Sequence, residues 1–247
     1  WRITVHESGT LVMTRMGQQV RKESFRKGSD PVMLEVFNNL FMHVAEEMGI
    51  VLEQTAHSVN IKERLDFSCA LFDEDGKLVA NAPHIPVHLG SMSDSVQSIL
   101  RSKQLAPGDA YLLNTPYNGG THLPDMTVIS PVFDANGGIL RYFVASRAHH
   151  ADIGGITPGS MPPGSRTIDE EGVLFDGLQI VAGGEFREAE VRTRLASGPY
   201  PARNPDQNIA DLRAQLAANA RGVAEIERLN GRFGIRTVLR YMGYVQS

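Results

Sequence analysis

The sequence predicts an α+β fold in which antiparallel β-hairpins pack against long helices. Two segments open with a capping side chain followed by proline and continue with apolar residues at helical spacing. The β-type segments between them come in pairs joined by turn-forming residues, which makes hairpins and hence an antiparallel sheet. The chain has 247 residues, 42% hydrophobic and 21% charged, enough to bury a sizeable core.

Taken in order, Ile3, Val5, Leu11 and Met13 alternate, so the first residues read as a hairpin. The polar and basic stretch Gly17–Ser29 reads as a linker. Trp1 is not an initiator methionine, which points to sequence upstream. Asp30-Pro31 starts a helix over about 31–47, resuming after Gly49 to about 57, with Leu34, Phe37, Phe41, Val44 and Met48 on its apolar face. Its His43 and His57 read as structural. Residues 65–72 and 77–81 form a hairpin around Asp73-Glu-Asp-Gly76. Residues 91–103 read as an amphipathic helix, and Tyr111–Leu113 as a short strand. A second hairpin pairs 125–133 with 139–146 across Asp134-Ala-Asn-Gly-Gly138. Residues 153–165, rich in glycine, proline and serine, read as an irregular loop. Asn204-Pro205 opens the last helix, which runs through Ile209, Leu212, Leu216, Val223, Ile226 and Leu229 and stops at Asn230-Gly231.

Several function classes are disfavoured. A net charge of −4 and a pI near 6.1 give no bulk attraction for nucleic acid or an anionic membrane. No apolar run approaches the roughly 18 residues of a membrane span, and no signal peptide opens the chain, so a cytoplasmic enzyme is expected. Cys69 is the sole cysteine, which excludes an internal disulfide and a cysteine-rich zinc site; its strand-like flanks make it a buried structural thiol. The sequence contains no phosphate-binding Gly-x-x-x-x-Gly-Lys-Ser/Thr loop, no dinucleotide fingerprint and no Gly-x-Ser-x-Gly elbow. Any ATP the enzyme uses is therefore bound elsewhere.

The chemistry concentrates in two His-x-x-Asp patterns, His122-Leu-Pro-Asp125 and His149-His150-Ala-Asp152, just before and just after the second hairpin. With the turn centred on Asn136, position 122 falls opposite 150, and opposed residues lie about 4.5–5.5 Å apart at Cα. The patterns should therefore meet at the open end of the hairpin. His122, Asp125, His149 and Asp152 make a mixed nitrogen and oxygen shell, suited to manganese or zinc ahead of iron. Asn118, Gly119 and Gly120 before it, and Gly154-Gly155 after it, permit sharp turns and close ligand approach; Asn118 and Gly120 are read as substrate contacts. Glu63 is a candidate general base or further ligand, His150 a second proton carrier, and Arg64 a holder of an anionic substrate group. Of His84 and His88, one reads as a partner supporting the metal ligands. The competing reading is a structural metal in a non-catalytic scaffold.

Several longer strings resemble the hydantoinase B/oxoprolinase family: Asp30-Pro-Val-Met-Leu-Glu-Val36, Ser58-Val-Asn-Ile-Lys-Glu-Arg-Leu-Asp-Phe-Ser68, His84-Ile-Pro-Val-His-Leu-Gly-Ser-Met92, Gly119-Gly-Thr-His-Leu-Pro-Asp125, Arg147-Ala-His-His-Ala-Asp-Ile-Gly-Gly155 and Pro205-Asp-Gln-Asn-Ile-Ala-Asp-Leu212. The resemblance implies that residues 30–247 are the N-terminal portion of a longer hydantoinase B-like domain. It implies that 1–29 are the tail of a hydantoinase A-like domain, the ATP-using partner in the same chain, plus a linker. It further implies ATP-dependent opening of a cyclic amide such as 5-oxoproline, with glutamate as product, at a metal site matching the two His-x-x-Asp patterns. Hydantoin-type amides, or a carboxylase of the acetone-using kind, are the alternatives. A homo-oligomer is left open.

Overall fold

The computed structural model describes residues 2–5, 11–14, 30–82, 86–134 and 138–247, which fall into two units, one up to Asp30 and one from Pro31 to Ser247. In the first, the alternating residues form an antiparallel hairpin of β1 (Arg2–Val5) and β2 (Leu11–Thr14), with Ile3 opposite Met13. The linker read over Gly17–Ser29 lies outside the described residues.

The second unit begins with α1 (Pro31–Thr55), a single unbroken helix. Gly49 does not interrupt it, because an interior glycine costs only about 1 kcal/mol and Met48 and Leu52 beside it are fully buried. A one-turn helix, α2 (Val59–Lys62), leads into β3 (Phe67–Asp73) and β4 (Leu78–Asn81). Then come α3 (Pro86–Ser102), β5 (Ala110–Leu113), β6 (Asp125–Phe133) and β7 (Leu140–His149). The chain closes with β8 (Asp176–Ala182), β9 (Glu185–Phe186), α4 (Glu188–Leu195), α5 (Pro205–Phe233) and α6 (Ile235–Val245).

Strands β3 to β9 form one sheet in the order β4-β3-β7-β6-β5-β8-β9, antiparallel throughout. The two expected hairpins are present, and they join through β3 and β7, with Phe67 opposite Ala148. Phe67, Cys69 and Leu71 of β3, with Tyr142, Val144 and Ala148 of β7, pack in one core with Phe37, Phe41, Val44 and Met48 of α1 and Ala214 and Ala218 of α5. Their alternating neighbours Ala70, Phe72, Phe143 and Ala145 pack with Met92, Val96 and Ile99 of α3. A third cluster lies where α4 and the first half of α5 cover Leu112, Met126, Val128, Phe175 and Ile180. The central strands are thus buried on both faces, between α1 and α5 on one side and α3 on the other.

The structure departs from the sequence reading at definite places. Helix α3 starts at Pro86 rather than 91, proline serving as the first helical residue. Helix α5 passes Gly231 and ends at Gly234, whose φ of 81° breaks it, and α6 follows. Strands β8 and β9 and helices α4 and α6 were not anticipated. The hairpin register also differs: Asp125 pairs with His149, not His122 with His150. The displacement is an even number of residues, so every side chain keeps its face.

Candidate metal centre

Strand alternation sets the site. Asp125, Thr127, Arg147 and His149 point to the α3 side of the sheet, and the 125–149 pair closes the end of the hairpin. His122 stands in the turn before β6, held by the Asp125 amide donating to the His122 carbonyl. Fully buried Asn114 fixes the same segment by donating to the Leu123 and Val173 carbonyls.

His122, Asp125 and His149 offer ligand atoms that all lie within 4.8 Å of one another. His122 Nε2 is 3.1 Å from His149 Nδ1, which is 3.0 Å from Asp125 Oδ1. Two ligand atoms each about 2.1 Å from one ion, at right angles, are separated by about 3.0 Å. Two imidazoles and a carboxylate therefore fit a divalent ion. The donor set contains no sulfur, which suits manganese, iron or zinc. Among the described residues these three form the ligand group.

Asp125 is buried, which pushes its carboxyl pKa up. Hydrogen bonds from His122, His149, His88 and Thr121 outweigh that and hold it far below the usual carboxylate range. Thr121 Oγ1 donates at 2.5 Å, and His88 Nε2 stands 3.3 Å from Oδ2. His88 is itself buried, with Nδ1 3.2 Å from the Ser68 hydroxyl and Nε2 3.7 Å from Asp66 Oδ1. The carboxylate is thus kept ionised and fixed in orientation, as a ligand must be. The Asp125 contact raises the His122 pKa, against a smaller opposing effect of burial.

Behind the cluster sits Arg147, fully buried. Its Nε donates to Thr127 Oγ1, Nη1 to the His88 carbonyl and Ser91 Oγ, and Nη2 to Ser95 Oγ and the Gly119 carbonyl. Burial pulls its pKa down to about 10, and the Asp125 charge opposes that. In front, His122 with Ser160, Met161, Pro162, Pro163 and Glu171 lines an open cleft of about 370 Å³. A larger groove of about 660 Å³, lined by Lys103, Asp176, Arg187 and Arg194, contains none of the clustered residues, and chemistry favours the smaller one.

The model of the family described as hydantoinase B/oxoprolinase matches residues 30–247. The chain belongs to that family. Among its relatives, 5-oxoprolinase 1 of Arabidopsis thaliana is 50% identical over 229 residues, covering 88% of this chain and 18% of that protein. The 5-oxoprolinase of Saccharomyces cerevisiae is 46% identical over 241 residues, covering 94% of this chain and 19% of its own length. The chain therefore spans less than a fifth of these relatives. The crystal structure of the ATP-dependent caprolactamase from Pseudomonas jessenii superposes with a TM-score of 0.77 at 28% identity, covering 88% of this chain and 37% of that one. The α+β architecture seen here is thus a partial hydantoinase B-like fold.

Within this hydantoinase B fold the sequence-derived residues separate. His122, Asp125 and His149 come together; Asp152 does not join them. Its Oδ1 accepts from the amides of Gly154 and Arg203, and its Oδ2 from the Gly159 amide and the Arg203 guanidinium at 2.8 Å. It is a loop clamp, because the chain turns away after His149. His150 points to the opposite face of the sheet and is fully buried. Its Nδ1 faces Asn208 Nδ2 and its Nε2 faces Gln215 Oε1, which assigns the neutral Nε2–H tautomer. Burial lowers its pKa, and its ring is turned towards α5 rather than towards the cluster. Glu63 and Arg64 are exposed at the end of α2, outside the ligand group, whereas Asp66, on the far side of the turn, neighbours His88. Asn118 donates to Asp176. At Gly120 the backbone packs closely, since a Cβ there would lie 2.5 Å from the Asn114 carbonyl oxygen. Sequence reading missed Thr121, Asp66 and Arg147. The signal available for Arg147 was its position two residues before His149, on the same face.

Proposed function

We propose that this chain forms the metal-centre portion of an ATP-dependent cyclic amide hydrolase of the kind that opens 5-oxoproline to glutamate. The observation that carries the reading is the meeting of His122, Asp125 and His149 beside an open cleft, in a chain of this family. The 5-oxoprolinase names of its relatives support that substrate class.

His122, Asp125 and His149 would hold the ion, manganese or zinc ahead of iron. When bound, such an ion polarises a carbonyl and makes water a better nucleophile near neutral pH. The chain's own residues do the rest. Asp125 stays ionised, and His88 and Thr121, which are not among the three ligands, fix its orientation. His122, with 42% of its side chain exposed, presents the centre to the cleft where the amide would lie. Asp66, 3.7 Å from His88 Nε2, joins Glu63 as a candidate to take up a proton. ATP would bind a hydantoinase A-like domain of the same polypeptide and activate the amide oxygen there, since this sequence contains no phosphate loop. A cytoplasmic setting suits that chemistry. Among the described residues no helix is long and apolar enough to cross a membrane.

The test is glutamate release from 5-oxoproline, coupled to ATP hydrolysis, by the parent enzyme, with hydantoin as the competing substrate. We expect His122→Ala to lose bound metal and at least about 100-fold in glutamate release, on the scale of losing a metal ligand. Glutamate release that survives both this substitution and metal chelation would sink the proposal.

A further inference from the structure

We infer that Arg147 is the positioning residue of the metal centre, and that it acts through geometry rather than charge; the inference rests on the metal reading above. A guanidinium has five N–H donors in a rigid fork. At Arg147 all five are used, and none goes to a carboxylate. The acceptors are Thr127 Oγ1 at 2.7 Å, the His88 carbonyl at 3.1 Å, Ser91 Oγ at 2.6 Å, Ser95 Oγ at 2.9 Å and the Gly119 carbonyl at 2.9 Å. A fully buried cation without an ion pair is costly, and apolar packing would hold a sheet to a helix without it.

The acceptors explain what the fork does. Thr127 lies two residues after Asp125 on β6, on the same face. The His88 carbonyl belongs to the residue whose imidazole meets Asp125. Gly119 lies three residues before His122, and its carbonyl also accepts from Ser95 Oγ at 2.6 Å. Arg147 itself is two residues from His149. One side chain therefore ties together the four segments that deliver His88, His122, Asp125 and His149. Gly119 shows how closely this is drawn: with φ of 88°, a Cβ there would lie 2.3 Å from the Ser95 nitrogen.

Charge alone predicts the opposite effect. A cation behind the centre repels a divalent ion, so removing it should strengthen metal binding. Positioning predicts that metal binding weakens even when the charge is kept. The experiment titrates Mn²⁺ alone and Zn²⁺ alone into the metal-free parent enzyme, as wild type, Arg147→Lys, Arg147→Met and Ser95→Ala, with thermal melts alongside. We expect both Arg147 variants to bind metal roughly 10–100-fold more weakly, the range for losing a partner behind the ligands. Ser95→Ala, which keeps the guanidinium and removes one acceptor, should weaken it by a smaller factor with a near-native melt. It carries the test if an Arg147 variant does not fold. Wild-type affinity in Arg147→Lys and Ser95→Ala, or tighter binding in Arg147→Met, would overturn the inference while leaving the metal site standing. A wild-type enzyme that binds neither ion would instead overturn the proposed function.

Discussion

At Asp125 four donors converge on one buried carboxylate, while at Asp152 four donors converge on a half-buried one that carries no histidine among its partners. The two aspartates look alike in sequence, each three residues after a histidine. Their substitutions should differ. Asp125→Ala is expected to abolish metal binding. Asp152→Ala should leave the metal stoichiometry intact and lower stability by about 1 kcal/mol, the scale of losing partly exposed hydrogen bonds. Metal analysis and urea melts of the two variants separate these outcomes; equal metal loss in both would return Asp152 to the ligand set. The pH dependence has a definite sign. Burial pushes the Asp152 carboxyl pKa up, but the amides of Gly154, Gly159 and Arg203 and the Arg203 guanidinium bring it below its ordinary value. A depressed folded-state pKa contributes stability that is complete above the unfolded value, near 3.9, and is lost as pH falls through the folded one. The stability gap between wild type and Asp152→Asn should therefore be full at pH 7 and shrink below about pH 4. A gap that is flat from pH 7 to pH 3 would contradict this.

At the level of elements, the long helices were legible because capping and apolar spacing agree along their whole length. Pro31 and Pro205 both sit at the first helical position, and the Asn204 side chain accepts from the Gln207 amide as a cap should. The short elements were not legible. Helix α4 has only eight residues and few apolar ones, and β8 is recognisable as a strand only once β5 pairs with it. Sequence also gives no hint of how closely α5 approaches α1. Gly222 marks that place: a Cβ there would lie 2.5 Å from Met48 Sδ and 3.2 Å from Val144 Cγ1. Gly222→Val should therefore cost about 1–3 kcal/mol through overpacking, with β-branching removing much of any gain in helix propensity. Denaturant unfolding measures this, and a variant as stable as wild type would show that the layer can open at no cost.

Across the whole second unit, the central strands are covered on both faces, and Cys69 of β3 is fully buried with its thiol pKa pushed well above the usual range by burial. Only the thiolate reacts, so the folded protein should not react with a disulfide reagent. On unfolding, the single cysteine should titrate as one thiol per chain, and its labelling should follow global unfolding. Rapid labelling under native conditions would mean that the α1–sheet layer opens locally.

Sequence by itself determined the two long helices, the two hairpins, the buried cysteine and the His122-Leu-Pro-Asp125 half of the centre, because these follow from contacts within a few residues. It also brought His149 to the same point, since a hairpin makes distant residues neighbours by counting. Only the tertiary structure decided the rest. It placed Asp152 on Arg203 and His150 on Gln215, because a loop's exit direction and a strand's buried face depend on what packs against them. It also brought His88 to Asp125 from α3, and Asp66 to His88 from the entry to β3. Those groups lie 20 or more residues from Asp125, and no local periodicity encodes a meeting set by how α3 lies across the sheet.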